Sequence, residues 1–113
     1  AASSASPAAS PLALVRGIAS EARVLDALSE VKNTEKFATA QGDTIPDFVN
    51  STTIGEIKDA KRVTDSAQLR AQRELAAQQG KDHVVVTGER TQVSSTVDQQ
   101  STVMRRDDLG PSQ

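Results

Sequence analysis

The sequence predicts an α/β protein, a small mixed β-sheet flanked by helices. Three observations carry that prediction. Leu14, Ile18, Leu25 and Leu28 recur at the spacing of one helical face. Thr44 to Asn50 and Thr53 to Asp59 have strand character, and the polar Asn50-Ser51-Thr52 suits a hairpin turn between them. A second helical segment, Asp65 to Gln79, leads into the β-branched run Val84-Val85-Val86. Helix, hairpin, helix, strand is the order expected of helices covering a sheet.

Residues 1–11 are almost wholly Ala, Ser and Pro and read as a disordered linker. Ser10 and Pro11 offer an N-cap and a first-turn proline for a helix that runs to about Ser29. Glu21 falls on the apolar stripe of that helix, where a carboxylate is costly unless it is paired or binds a cation. Val31 to Gly42 is polar, with Phe37 as its large apolar anchor and a short strand around Lys36 to Ala38. Asp65 and Gln68 form a capping-box pattern, and Gly80 suits the position just past the second helix. Gly88 breaks the valine strand. Thr91 to Thr102 suits a short strand or a weak helix. Residues 105–113 are charged, then Gly-Pro-Ser, and read as a flexible tail. The resulting organisation is one domain, 12–104, between two tails.

Composition narrows the function. With 113 residues, 36% hydrophobic and 2% aromatic, the core must be small and aliphatic. A net charge of -2 excludes a bulk polycation, but not a local basic lip around an acidic site. The absence of cysteine excludes disulfides, thiolate zinc sites and thiol nucleophiles. No apolar run is long enough to span a bilayer, and no signal-peptide pattern is present. The chain starts at Ala1 without Met, and we expect a piece of a longer protein.

The chemistry-bearing segment is Ile45-Pro46-Asp47 followed by Gly55-Glu56-Ile57-Lys58. Side chains alternate along a strand, so Glu56 and Lys58 share a face. A short turn brings Asp47 beside Glu56. Two adjacent carboxylates repel unless a divalent cation lies between them. Oxygen ligands of this kind suit Mg²⁺ or Mn²⁺, with Zn²⁺ less favoured. The Ile57 backbone carbonyl offers a further oxygen. Lys58 can steady an attacking water and developing negative charge. Glu21 either joins this cluster, directly or through water, or pairs with Arg23. Each residue has a plainer reading: Asp47 as a turn residue, and Glu56 with Lys58 as a solvated ion pair.

Lys61, Gln68 and Arg70 are candidate nucleic-acid contacts, the last two near a helix N-terminus that favours anions. For Lys61 and Arg70 a solvated surface is the competing reading. Arg73 and Lys81 read as solvated charges. His83, the only histidine, precedes a buried-looking strand and reads as structural. No serine-hydrolase pattern, phosphate-cradling Gly-rich loop or aromatic base platform is present.

Pro46-Asp47 with Glu56-Ile57-Lys58 resembles the PD-(D/E)XK signature of restriction-endonuclease-like nucleases. Ile45-Pro46-Asp47, Ile54-Gly55-Glu56-Ile57-Lys58, Lys61 and Gln68-Leu69-Arg70 together resemble bacterial polymorphic toxins with that fold. Glu21 on the preceding helix and Asn33-Thr34 between fit the same pattern. The resemblance covers roughly Arg16 to Val97. Phe48 departs from it, since a small or turn residue often follows the Asp. The resemblance implies a restriction-endonuclease-like core and a Mg²⁺- or Mn²⁺-dependent deoxyribonuclease. Such a domain is the C-terminal toxin of a secreted interbacterial effector, acting in the target-cell cytoplasm and blocked by a cognate immunity protein. Alternatives are a tRNA-cleaving ribonuclease of the same fold and a non-catalytic interaction domain.

Overall fold

β6 (Asp82–Gly88) lies at the centre of the molecule because its valines are apolar toward both faces. The structure, a computed structural model, describes residues 11–111. In chain order it holds α1 (Pro11–Ala27), β1 (Phe37–Thr39), β2 (Gly42–Thr44), β3 (Phe48–Val49), β4 (Thr53–Ile57) and β5 (Arg62–Val63). Then come α2 (Ala67–Gln79), β6, β7 (Gln92–Val93), α3 (Ser95–Gln100) and β8 (Thr102–Arg106). The main sheet has the order β3-β4-β6-β8. β3 is antiparallel to β4, whereas β4, β6 and β8 are parallel. The parallel pairs need crossovers, which α2 and α3 supply. The expected α/β architecture, a mixed sheet between helices, is borne out.

Strand alternation divides the core. Phe48, Ile57, Val84 and Val86 face α1 and pack with Val24, Leu25 and Leu28. Val85 faces the other layer with Leu69, Val63 and Val97, while Ile54 packs with Leu75 and Ala76. Ser66 caps α2, its hydroxyl accepting the Leu69 N–H at 3.2 Å. The expected cap, Asp65, is instead engaged by Arg73 at 2.7 Å and Arg70 at 3.7 Å. Gly80 ends α2 at φ 66°, the left-handed conformation that glycine adopts without a Cβ penalty.

Two further expectations are corrected. The docked face of α1 carries Ser20, Val24 and Leu25, whereas Ile18 is 55% exposed. Ile18 lies about 200° around the helix from Ser20, and Ser20 is fixed by a hydrogen bond to the Asp59 carboxylate. Arg16, one turn earlier, pairs with Asp59 at 3.1 Å and donates to the Gly110 carbonyl at 2.8 Å. The Leu14 side chain, the Ser10 cap and the linker reading of 1–11, apart from Pro11, lie outside the described residues.

The second correction concerns the tail assigned to 105–113. Arg105 and Arg106 belong to β8, and Leu109 is buried in the α1-side core. The Gly110 N–H donates to Asp59 at 2.7 Å. A Cβ on Gly88 would stand 2.2 Å from the Leu109 carbonyl, so only glycine lets this segment pass. Charge misled the sequence reading here: Arg106 and Arg23 both bind Asp108, which ties the polar segment down rather than solvating it. Leu109→Ala is expected to destabilise the protein by about 2–5 kcal/mol in urea unfolding. Wild-type stability would show that residues 107–110 contribute nothing to the core.

Candidate active site

β3 is short because Pro46 precedes it and has no N–H to donate. Beyond β3 the Pro46 carbonyl is occupied by the Asn33 amide, and the Ile57 N–H donates instead to Asp47 Oδ2 at 2.8 Å. The pairing Phe48↔Gly55, continued by one residue, sets Asp47 opposite Glu56. Phe48 lies over Gly55 on the other face. A Cβ at Gly55 would stand 2.1 Å from the ring. The Phe48 departure thus has a local answer in Gly55.

Asn33 clamps the same turn. Its backbone N–H donates to the Asp47 carbonyl at 2.8 Å, and its amide donates to the Pro46 carbonyl at 2.9 Å. This clamp brings the preceding residue, Lys32, to the site. Lys32 Nζ lies 2.5 Å from Glu21 Oε2 and 3.0 Å from Asp47 Oδ1. Glu21, Lys32 and Asp47 thus form one charge cluster, and Arg23 goes to Asp108 rather than to Glu21. Burial raises the Glu21 pKa; the Lys32 bond opposes this and the Asp47 charge reinforces it. For Lys32, burial favours loss of the proton, but the bonds to Glu21 and Asp47 outweigh it and raise its pKa. Lys32 was not among the sequence candidates. Its signal was only its position next to Asn33.

Glu56 is fully buried on the α2 side of β4. Its Oε1 accepts the Gln72 amide at 2.8 Å, and its Oε2 lies 3.6 Å from Lys58 Nζ. Burial raises the Glu56 pKa, the Asp47 charge adds to this, and Lys58 opposes it. Lys58 donates to Gln68 Oε1 at 2.9 Å. Ser66 capping of α2 places Gln68, in the first turn, over Lys58. Asp47 and Glu56 are 0% exposed, whereas the side chains of Lys32 and Lys58 are 43% and 18% exposed. Two carboxylates therefore lie beneath two ammonium groups.

The structure brings together Glu21, Asp47, Glu56, Lys58 and Gln68. It does not bring Arg70 to them, because that guanidinium donates to the Asp65 carbonyl at 2.7 Å. Lys61 is exposed, and its carbonyl accepts the Gln92 N–H at 3.0 Å in the β5–β7 ladder. Arg73, expected to be solvated, is largely buried against Asp65. His83 is buried, as a structural reading requires, and bonds to Gln72 and Ser101. A cleft of about 310 Å³ lined by Arg73, Lys81 and His83 lies by the start of β6. It contains none of the expected catalytic residues.

Among the described residues no three His, Cys, Asp or Glu side chains gather as a metal cage. The donors that face one another are the Asp47 and Glu56 carboxylates. A strand residue's N–H and C=O point to the same neighbour, so the Ile57 carbonyl shares the edge of its Asp47-bound N–H. Two carboxylates and a carbonyl fit a hard cation that keeps most of its waters, such as Mg²⁺ or Mn²⁺. They do not form the closed nitrogen and sulfur set of structural zinc.

Glu56 and Glu21 have folded-state pKa values above their unfolded ones. Such groups favour the folded state at low pH, and that contribution is lost as pH rises through the raised value. Glu56→Gln is therefore expected to melt above wild type at about pH 8. The gap should shrink as pH falls into the ordinary glutamate range, and a variant that melts lower at every pH would contradict this. Gly55→Ala should cost about 1–3 kcal/mol in urea unfolding by displacing the Phe48 ring. An unchanged midpoint would show that the ring moves freely.

No curated protein and no solved structure matches the chain. The family model for restriction endonuclease fold toxin 7 matches residues 17–97. That span contains Glu21, Lys32, Asp47, Glu56, Lys58, Gln68 and Gln72, and the chain belongs to this family of restriction endonuclease fold toxins.

Proposed function

We propose that this chain is a metal-dependent deoxyribonuclease, the toxin domain of a secreted interbacterial effector acting in the target-cell cytoplasm. The observation that carries the reading is the pair of buried carboxylates, Asp47 and Glu56, set opposite each other beneath Lys32 and Lys58. Family membership supports nuclease toxin chemistry on this frame. Among the described residues no helix is long and apolar enough to cross a membrane.

Asp47, Glu56 and the Ile57 carbonyl would hold Mg²⁺ or Mn²⁺. When bound, that cation supplies positive charge against phosphate oxygens and makes water a stronger nucleophile. The chain's own residues do the rest. Lys58, held by Gln68, places an ammonium where charge develops on the scissile phosphate. Lys32 balances Glu21 and Asp47 and presents a second ammonium to solvent. Glu21 acts on the site through Lys32, and Asn33 keeps Asp47 in register. A cognate immunity protein would protect the producing cell. An acidic surface laid over the two lysines is the chemistry that would do so.

Purified protein incubated with plasmid DNA and with total RNA, with Mg²⁺, Mn²⁺ or EDTA, tests the reading. DNA should be cut with metal and spared with EDTA. Cleavage of RNA alone would overturn the substrate, and EDTA-resistant cleavage would overturn the metal. Lys58→Ala should lower the rate by about 10²–10³-fold while leaving the fold intact. Asp47→Asn and Glu56→Gln should abolish metal-dependent cleavage, and wild-type rates in these variants would remove the site assignment.

A further inference from the structure

A polar chain runs from the site through the buried Gln72 and His83 to Ser101 at the cleft by the start of β6. Gln72 is 0% exposed and lies between Glu56 and His83. Its Nε2 meets Glu56 Oε1 at 2.8 Å, and its Oε1 meets His83 Nε2 at 2.8 Å. His83 Nδ1 lies 2.7 Å from the Ser101 hydroxyl. The Gln72 amide nitrogen is the atom that faces Glu56, and it donates to Oε1. The Gln72 oxygen then faces His83 and accepts, which puts the imidazole proton on Nε2. Bare Nδ1 accepts the Ser101 O–H. Every donor in the chain has one direction.

We propose that Gln72 is a positioning residue for Glu56, its amide held the right way round by His83 and Ser101. A side-chain amide has two orientations of similar shape, and only one donates to Glu56. His83 selects that orientation because its Nε2–H needs the amide oxygen. Desolvation and the nearby Arg73 charge push the His83 pKa down to about 4, so the imidazole is neutral around pH 7. A neutral donor also directs Oε1 without a countercharge, leaving Oε2 toward Lys58. The three elements that carry the chain, α2, β6 and the α3–β8 junction, converge only in the folded protein. Partners that orient a ligating carboxylate in this way commonly matter about 10–100-fold for metal affinity or activity.

The inference rests on the metal-dependent reading above. It is tested by calorimetric titration with Mn²⁺ and by cleavage kinetics on plasmid DNA. Gln72→Met keeps the volume and removes both bonds. It should weaken Mn²⁺ binding by about 10–100-fold and lower kcat, with KM for DNA unchanged. His83→Leu should do the same to a smaller degree, with no further loss in the Gln72→Met/His83→Leu double variant. His83→Gln, which can still donate to Gln72 and accept from Ser101, should restore most of the affinity.

Wild-type Mn²⁺ affinity in Gln72→Met, or additive losses in the double variant, would overturn the proposal. If Gln72→Met does not fold, Ser101→Ala decides, since it removes a single hydroxyl at the chain's outer end. A several-fold weaker Mn²⁺ affinity supports the chain, and wild-type affinity refutes it. A wild-type protein that binds no Mn²⁺ sinks the metal-dependent reading itself. A wild type that binds it, with Gln72→Met unaffected, sinks this inference alone.

Discussion

The bond from the Ile57 N–H to the Asp47 carboxylate fixes the end of the sheet on which the site depends. Pro46 has no N–H and cannot extend β3, and its carbonyl accepts the Asn33 amide. The Ile57 N–H on the edge of β4 takes the Asp47 carboxylate as its acceptor. Once that bond forms, Asp47 lies opposite Glu56, and Phe48 falls on Gly55 across the other face. Asn33 then ties the polar segment before β1 to Pro46 and Asp47, and Lys32 arrives between two acids. One backbone donor thus links the turn, the core and the charge cluster.

The electrostatics of the cluster have a consistent direction. Glu21 and Glu56 are both pushed toward protonation, first by burial and then by the Asp47 charge. Lys32 and Lys58 work against that push from the solvent side. Burying like charges strains the fold, and such strain is common where function requires it. Neutral amides complete the arrangement. Gln68 holds Lys58 and Gln72 holds Glu56, one helical turn apart on α2. A single helix therefore orients both an acid and its neighbouring base, and Ser66 sets its start.

The long-range ties explain why the chain's end is ordered. Asp59 follows β4 and receives Arg16, Ser20 and the Gly110 N–H. It joins α1, β4 and the final loop around one carboxylate. The helix bearing Glu21 is thus anchored beside the strand bearing Glu56 by a residue outside the candidate site. Arg105 does similar work at the 88–91 turn, donating to the carbonyls of Gly88 and Thr91.

Sequence alone determined what local pattern dictates. Hydrophobic period, turn chemistry and β-branched content determined the α/β class, the 50–52 turn, the end of α2 at Gly80 and the valine strand. Strand alternation also placed Glu56 and Lys58 on one face. Tertiary structure decided everything that needs a distant partner. The docked face of α1 is chosen by Asp59, the α2 cap by the arginines that occupy Asp65, and the order of residues 105–110 by Asp59 and Gly88. Lys32, Gln72 and His83 have no local signature of their roles. A lysine, a glutamine and a histidine become parts of a site only when folding takes water away from them and leaves each other as the available partners.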